Sequence, residues 1–376
     1  MAPTLQRKIV LTANTAWYLH NFRLGLIRAL VAQGCEVWVW APEDRAFAAL
    51  AEAGAKPVHL PINGKGLNPL EDLKLMRDYK RRLRKLQPDA MLAFTIKPVI
   101  WGGLAASQVG IPYLSTITGL GTAFIRDGWL TRVAEMLYRR SQRKADLVLF
   151  QNPDDRALFV ERRMVDAQRT TTVPGSGIDL QRFRPLPLPS TQAGQAIFLM
   201  IGRMLRDKGV HEFVDAARML RGDFPQARFQ LLGAADAANR TAISATQLAQ
   251  WQAEGIVEYL GESDDVRAQI AQADCVVLPS YREGIPRVLL EGAAMGRPLL
   301  ATDVPGCREV VREAVNGHLC AAQSASELAA VMRRVLEMQP AERVALGLAA
   351  RMLVEREYDE RIVIDRYCEA LGLGRD

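Results

Sequence analysis

Pro279-Ser-Tyr-Arg-Glu-Gly-Ile-Pro-Arg-Val-Leu-Leu-Glu-Gly292 is the stretch that decides the fold. An apolar run, Cys275-Val-Val-Leu278, leads into it and reads as a short buried strand that stops at Pro279-Ser280. Glu283-Gly-Ile-Pro286 then reads as the opening of a helix running through Glu291 towards Met295, with Pro286 in the first turn, where a missing N–H costs nothing. A strand that turns directly into a helix N-terminus belongs in an open parallel α/β sheet. In such sheets anionic ligands bind at the carboxyl ends of the strands.

Glu283 and Glu291 are a little over two helical turns apart, so a regular helix places both on about the same side. Two glutamates on one helix ordinarily mean a solvated face. Here Val288, Leu289, Leu290, Ala293, Ala294 and Met295 surround Glu291 with apolar neighbours. A carboxylate in that company needs a partner, from the protein or from a ligand.

The same alternation of strand and helix extends in both directions. Lys8 to Thr12, Phe22 to Gln33 closed by Gly34, and Glu36-Val-Trp-Val-Trp-Ala41 form a strand–helix–strand unit near the N-terminus. Strands at 56–60, 89–95, 112–117, 146–151 and 170–173 follow, with helices at 44–53, 70–86, 100–108, 129–143 and 153–163 between them. The pattern restarts with strands at 196–201, 228–232 and 256–260 and helices from Gly209 and over 264–272. Between the two series lies Leu186-Pro-Leu-Pro-Ser-Thr-Gln-Ala-Gly194, a proline-rich run that reads as a linker. The expected plan is a first Rossmann-like domain over 1–184, a linker over 185–195 and a second such domain over 196–357.

Composition fits that plan. At 376 residues with 49% hydrophobic and 24% charged, the chain supplies two ordinary cores. Five scattered cysteines without a Cys-x-x-Cys pair suggest buried thiols, and four separated histidines suggest no metal site. No run approaches ~20 apolar residues and Met1 to Lys8 lead straight into a strand, so a cytoplasmic, non-spanning protein is expected. Charge is uneven: residues 1–188 carry roughly +11 and the remainder roughly −5, out of a net +6. The first half therefore suits a polyanion or an anionic membrane surface, and helices 70–86 and 129–144 carry its densest basic faces.

Gly202-Arg-Met-Leu-Arg-Asp-Lys-Gly209 is the second chemistry-bearing constellation. A strand end, a glycine that permits close approach, then Arg203 and Lys208 ahead of a helix would clamp a diphosphate, although an ordinary basic turn has the same composition. In the first half, Asn14 and Thr15, Lys97, and Thr118-Gly-Leu-Gly121 with Phe124 all follow strand ends, on one side of a parallel sheet.

Taken together these motifs resemble glycosyltransferase family 4, the retaining nucleotide-sugar enzymes of the GT-B fold, with two Rossmann-like domains facing each other across a cleft. By that resemblance Glu283 contacts hydroxyls of the transferred sugar, Gly284, Ile285 and Pro286 meet the diphosphate and sugar, and Glu291 holds the ribose. Arg203 and Lys208 bind the donor diphosphate and stabilise the departing nucleotide, so Glu283, Arg203 and Lys208 form the catalytic set. Gly202 and Gly233, both at strand ends, complete the donor pocket. The segment 358–376 is expected to cross back onto the first domain.

Phe94-Thr-Ile-Lys-Pro98 and Thr118-Gly-Leu-Gly-Thr-Ala-Phe124 further resemble a bacterial subgroup, the PglA-like and CapM-like enzymes that extend polyprenyl-diphosphate-linked sugars. The resemblance implies a UDP-sugar donor, with N-acetylgalactosamine favoured, and a polyprenyl-diphosphate-linked acceptor. Acceptor contacts are expected at Asn14, Thr15, Lys97, Thr118 and Gly119, with Lys97 on the acceptor diphosphate. No metal or other cofactor is expected, and the place implied is the inner face of the cytoplasmic membrane. Many members begin with a Gly-Gly loop and carry a histidine where this chain has Thr118, so no catalytic histidine is assigned.

The rival reading is a GT-B relative such as a UDP-sugar epimerase, acting on free nucleotide sugar in the same diphosphate pocket. A nucleic-acid-binding module is not expected, because the basic faces lack interleaved aromatics and the glutamate pair would have no role.

Overall fold

The computed structural model describes residues 6–64, 66, 68–119, 128–189, 192–235 and 241–374, with Leu130 by its backbone alone. The chain divides into two compact units, one formed by Met1–Ser176 with Glu360–Asp376 and the other by Gly177–Asp359. Each is a parallel sheet covered by helices.

In the N-terminal unit β1 (Lys8–Thr12), β2 (Glu36–Ala41), β3 (Lys56–His59), β4 (Ala90–Phe94), β5 (Tyr113–Ile117), β6 (Leu147–Phe150) and β7 (Thr170–Thr172) lie in the order β3-β2-β1-β4-β5-β6-β7. Every residue of β4 and β5 is buried, as expected of central strands with helices on both faces. Alternate residues of β4 serve different cores. Leu92 and Phe94 pack with Leu26 and Leu30 of helix Ala16–Ala32, while Met91 and Ala93 pack with Leu75, Tyr79 and Leu83 of helix Pro69–Leu86.

The last helix, Glu360–Ala370, belongs to this unit. Its Tyr367 hydroxyl lies 2.7 Å from Thr116 Oγ1. The buried guanidinium of Arg23 sits 4.6 Å from the Phe94 ring centroid and 5.5 Å from that of Tyr367, so two aromatic faces attract a cation that burial would otherwise penalise.

In the C-terminal unit β8 (Ile197–Ile201), β9 (Arg228–Leu232), β10 (Glu258–Tyr259), β11 (Cys275–Leu278), β12 (Leu299–Thr302) and β13 (Gly317–Cys320) lie in the order β10-β9-β8-β11-β12-β13, all parallel. The proline-rich run read as a linker is tied into this unit. Fully buried Arg297 donates to Pro187 O at 3.0 Å, and fully buried Arg343 donates to Gln192 O and Gln195 O at 2.7 and 2.6 Å. Two buried guanidinium groups need acceptors, and the run's carbonyls supply them. The junction therefore falls at Ser176–Gly177, ahead of 185–195, and the return falls at Asp359–Glu360. All five cysteines are free and buried.

Helix Pro340–Glu357 approaches the turn at Gly296 through Gly347, where a Cβ would stand 2.1 Å from Gly296 O. Gly347→Ala is expected to cost about 1–3 kcal/mol through overpacking, read as a lower urea midpoint. Gly222→Ala, with nothing within 4 Å of the added methyl, is expected to leave the midpoint within about 0.5 kcal/mol.

Candidate active site

The C-terminal sheet changes direction between β8 and β11. The chain runs outward from β8 to β9 and β10, then returns to the other flank of β8, where Val277 of β11 registers with Met200. Loops leaving the carboxyl ends of two such strands diverge and leave a crevice between them. Here they are the two motifs singled out in the sequence, Gly202 to Gly209 and Pro279 to Pro286.

Backbone contacts join these loops. Tyr281 N donates to Asp207 O at 2.9 Å, and Gly209 adopts φ +77° where a Cβ would lie 2.1 Å from Pro279 O. The Lys208 ammonium consequently forms an ion pair with Glu283 Oε1. Ser280 Oγ donates to the same oxygen at 2.6 Å. On the far side Glu283 N donates to Pro305 O at 3.2 Å, and Gly306, at φ +88°, leaves room for Gly284 O, which a Cβ would approach to 2.2 Å.

The helix begins later than the sequence suggested. It spans Arg287–Ala294 with Pro286 as its N-cap, so Glu283 belongs to the preceding loop and does not share a helix face with Glu291. Pro286 has φ −75° and ψ 113°, so its ψ is extended and helical geometry starts only at Arg287, while proline biases the residue before it away from helix. Glu291 does have the partner its apolar surroundings demand: Arg287 Nε, one turn earlier, donates to it at 3.0 Å. Burial still raises the Glu291 carboxyl above the ordinary glutamate value, against the opposing pull of the Arg287 cation.

Arg203 is exposed and enters no ion pair among the described residues. The two glycines of the expected pocket differ in their reasons. A Cβ on Gly233 would stand 1.9 Å from Gly202 O, with φ at +144°, so the fold itself requires that glycine. A Cβ on Gly202 would meet nothing within 4 Å, which leaves open space beside Arg203. Arg203 and Lys208 stand on the Gly202 to Gly209 loop, and the facing loop leads into the N-terminus of helix Arg287–Ala294; a guanidinium, an ammonium and a helix N-terminus are groups of the kind that hold a diphosphate.

The N-terminal sheet has its own change of direction between β1 and β4. Asn14, after β1, donates its N–H to Thr95 Oγ1 after β4 at 2.9 Å, and Thr95 holds φ +64°, an outlier for a β-branched residue. Asn14 Oδ1 is buried with no hydrogen-bond partner among the described residues. Thr15 is exposed, and its hydroxyl caps helix Ala16–Ala32 by accepting Tyr18 N–H at 3.1 Å. Lys97 is buried and its ammonium is already engaged, 2.7 Å from Asp72 Oδ1. Thr118 and Gly119 follow β5 and are half-buried; Gly121 and Phe124 lie outside the described residues.

Asp72 and Thr95 were missed by sequence reasoning, as were Ser280 and Gly306 beside Glu283 and Thr302, whose hydroxyl donates to Ser280 O. Arg287 alone had a signal, its position four residues before Glu291. Among the described residues no group of three or more His, Cys, Asp or Glu side chains could hold a metal, and no helix is long and apolar enough to cross a membrane.

Two parallel-sheet units of the Rossmann type define the GT-B fold. Anabaena HepE in complex with UDP and glucose superposes with a TM-score of 0.80 at 20% identity, over 98% of this chain and 100% of that one. Sucrose-phosphate synthase from Thermosynechococcus elongatus gives 0.79 at 21% identity, over 97% and 98%. Family models described as "Glycosyl transferase 4-like domain" and "Glycosyl transferases group 1" match residues 20–175 and 195–338. The N,N'-diacetylbacillosaminyl-diphospho-undecaprenol alpha-1,3-N-acetylgalactosaminyltransferase of Campylobacter jejuni is 31% identical, over 93% of this chain and 94% of that protein. The UDP-Gal:alpha-D-GlcNAc-diphosphoundecaprenol alpha-1,3-galactosyltransferase of Escherichia coli is 21% identical, over 69% of each. The chain belongs to glycosyltransferase family 4.

The raised carboxyl of Glu291 has a consequence for stability. The folded state keeps the full contribution of this group below about pH 4 and loses it as the pH climbs through the raised value. Glu291→Gln is therefore expected to raise the melting temperature at pH 7.5, with the gain fading towards pH 4; a gain independent of pH contradicts this.

Proposed function

We propose that the chain moves a hexose or N-acetylhexosamine, with N-acetylgalactosamine favoured, from a UDP-sugar to a polyprenyl-diphosphate-linked sugar during bacterial glycan assembly. The observation that carries this is the meeting of Lys208 and Glu283 where β8 and β11 diverge, with exposed Arg203 on the same loop as Lys208. Arg203 and Lys208 bind the donor diphosphate, Glu283 a hydroxyl of the transferred sugar and Glu291 the ribose hydroxyls. The bond from the sugar's anomeric carbon to the diphosphate breaks as one forms to the acceptor oxygen. The acceptor's proton passes to the departing phosphate on the same face, which retains the anomeric configuration. The two cations and the helix dipole offset the charge on the leaving UDP, so no metal is required.

The N-terminal unit takes the acceptor, around Asn14, Thr118 and Gly119. Lys97 serves there as half of a pair with Asp72 rather than as a free cation. The membrane surface is assigned to the basic helices. Helix Trp129–Gln142 exposes Trp129, Val133 and Met136, spaced as one helical face, beside exposed Arg132 and Arg140. Helix Pro69–Leu86 exposes Arg77, Arg81, Arg84 and Lys85. Apolar side chains framed by cations suit an anionic lipid interface, which supports a peripheral position on the inner face of the cytoplasmic membrane. Arg139 is excluded from this face because it donates to Arg162 O and Arg163 O, both at 3.1 Å.

Incubation with UDP-N-acetylgalactosamine and a polyprenyl-diphosphate-linked sugar is expected to yield the extended lipid and free UDP, with no loss of rate in EDTA. Arg203→Ala and Glu283→Gln are each expected to lower kcat/KM by about 100-fold or more. Epimerised free nucleotide sugar without lipid product would instead support the epimerase reading. Sedimentation with vesicles is expected to require anionic lipid and to weaken as salt rises, and binding to neutral vesicles alone would contradict the membrane assignment.

A further inference from the structure

We infer that Ser280 is a positioning residue: by occupying Oε1 of Glu283 it aims Oε2 of that carboxylate at a hydroxyl of the transferred sugar. The inference rests on the donor reading above. Ser280 is fully buried, and its hydroxyl has a single proton to give. Two acceptors lie within reach, Glu283 Oε1 at 2.6 Å and Asp207 O at 3.4 Å. The proton goes to the nearer, charged oxygen.

Lys208 binds the same oxygen. Both protein donors thus sit on Oε1, and Oε2 has no hydrogen-bond partner among the described residues. The Glu283 side chain keeps 14% exposure, and with Oε1 covered by two donors the acid turns its second oxygen towards incoming ligand. Lys208 cannot fix this geometry alone. Its ammonium stands on a flexible, partly exposed stem and is also assigned to the diphosphate, whereas a serine hydroxyl has one short arm.

Ser280 is itself held. Its carbonyl accepts from Thr302 Oγ1 at the end of β12, and the next residue's N–H binds Asp207 O at 2.9 Å. The backbone that carries the hydroxyl is thereby fixed relative to β12 and the Asp207 loop, so the hydroxyl's short arm turns about a fixed point. A ligand that meets Oε2 finds the acceptor already aimed and loses no side-chain freedom in aiming it.

The test compares Ser280→Ala with the parent enzyme, using UDP-N-acetylgalactosamine and its 3-deoxy and 4-deoxy analogues as donors. The kcat/KM for the full donor is expected to fall about 10- to 100-fold, as for loss of one hydrogen bond to a charged group. UDP affinity is expected to stay within about twofold, because the nucleotide contacts are untouched. The penalty should vanish for whichever deoxy donor lacks the hydroxyl that Glu283 meets. Ser280→Thr, which keeps the hydroxyl, should recover most of the rate. If the alanine variant does not fold, Ser280→Cys serves, its weaker donor giving the same dependence on the sugar hydroxyl. An equal slowing of all three donors, or no slowing of any, overturns the positioning role. Failure of Glu283→Gln to slow transfer overturns the donor reading beneath it, whereas a slow Glu283→Gln beside an unimpaired Ser280→Ala overturns this inference alone.

Discussion

The active-site architecture depends on one constraint, the parallel pairing of β8 with β11. Parallel neighbours need long crossovers, and when two adjacent strands send theirs to opposite flanks of the sheet the space above their carboxyl ends cannot be closed by either. The loops that leave those ends must hold each other by backbone contacts, as Tyr281 does with Asp207 and Gly209 with Pro279. Those contacts bring a lysine and a glutamate 75 residues apart into an ion pair. The N-terminal sheet repeats the device, with Asn14 and Thr95 tied where β1 and β4 part.

Stability and binding make opposing demands in each unit taken by itself. Glu291 is a carboxyl that burial disfavours and one arginine only partly relieves. Thr95 is held in a conformation that β-branched side chains avoid. Neither improves packing; Thr95 follows the end of β4, and Glu291 lies in the second turn of the helix that follows the β11 loop. Buried Arg297 and Arg343 show the contrasting case: their terminal nitrogens donate to carbonyls of the 185–195 run, and their work is structural.

Much of this was legible in the residues. Apolar runs such as Cys275-Val-Val-Leu278 and Ile197-Phe-Leu-Met-Ile201, each ending at a turn, gave the strands and hence both sheets. Arg203, Lys208 and Glu283 stood out because their chemistry is conspicuous beside a strand end, and the fold brings Lys208 and Glu283 together. What the sequence could not show was long-range pairing. Nothing near Lys97 announces that Asp72 neutralises it, and nothing in the proline-rich run announces two arginines more than a hundred residues away. Placing Glu283 on a helix failed because Pro286 is equally compatible with a first turn and with the cap before it. Gly233 looked like a ligand-facing glycine but is demanded by the Gly202 carbonyl, a clash visible only when both strand ends are placed.

The central claim is that Arg203 and Lys208 grip a diphosphate at the β8–β11 divergence while Glu291 holds the attached ribose. A crystal structure of the protein with UDP bound tests it most directly. The account predicts phosphate oxygens within hydrogen-bonding distance of both cations and the ribose hydroxyls on Glu291. Nucleotide bound at any other place, with Lys208 still paired only to Glu283, would contradict it.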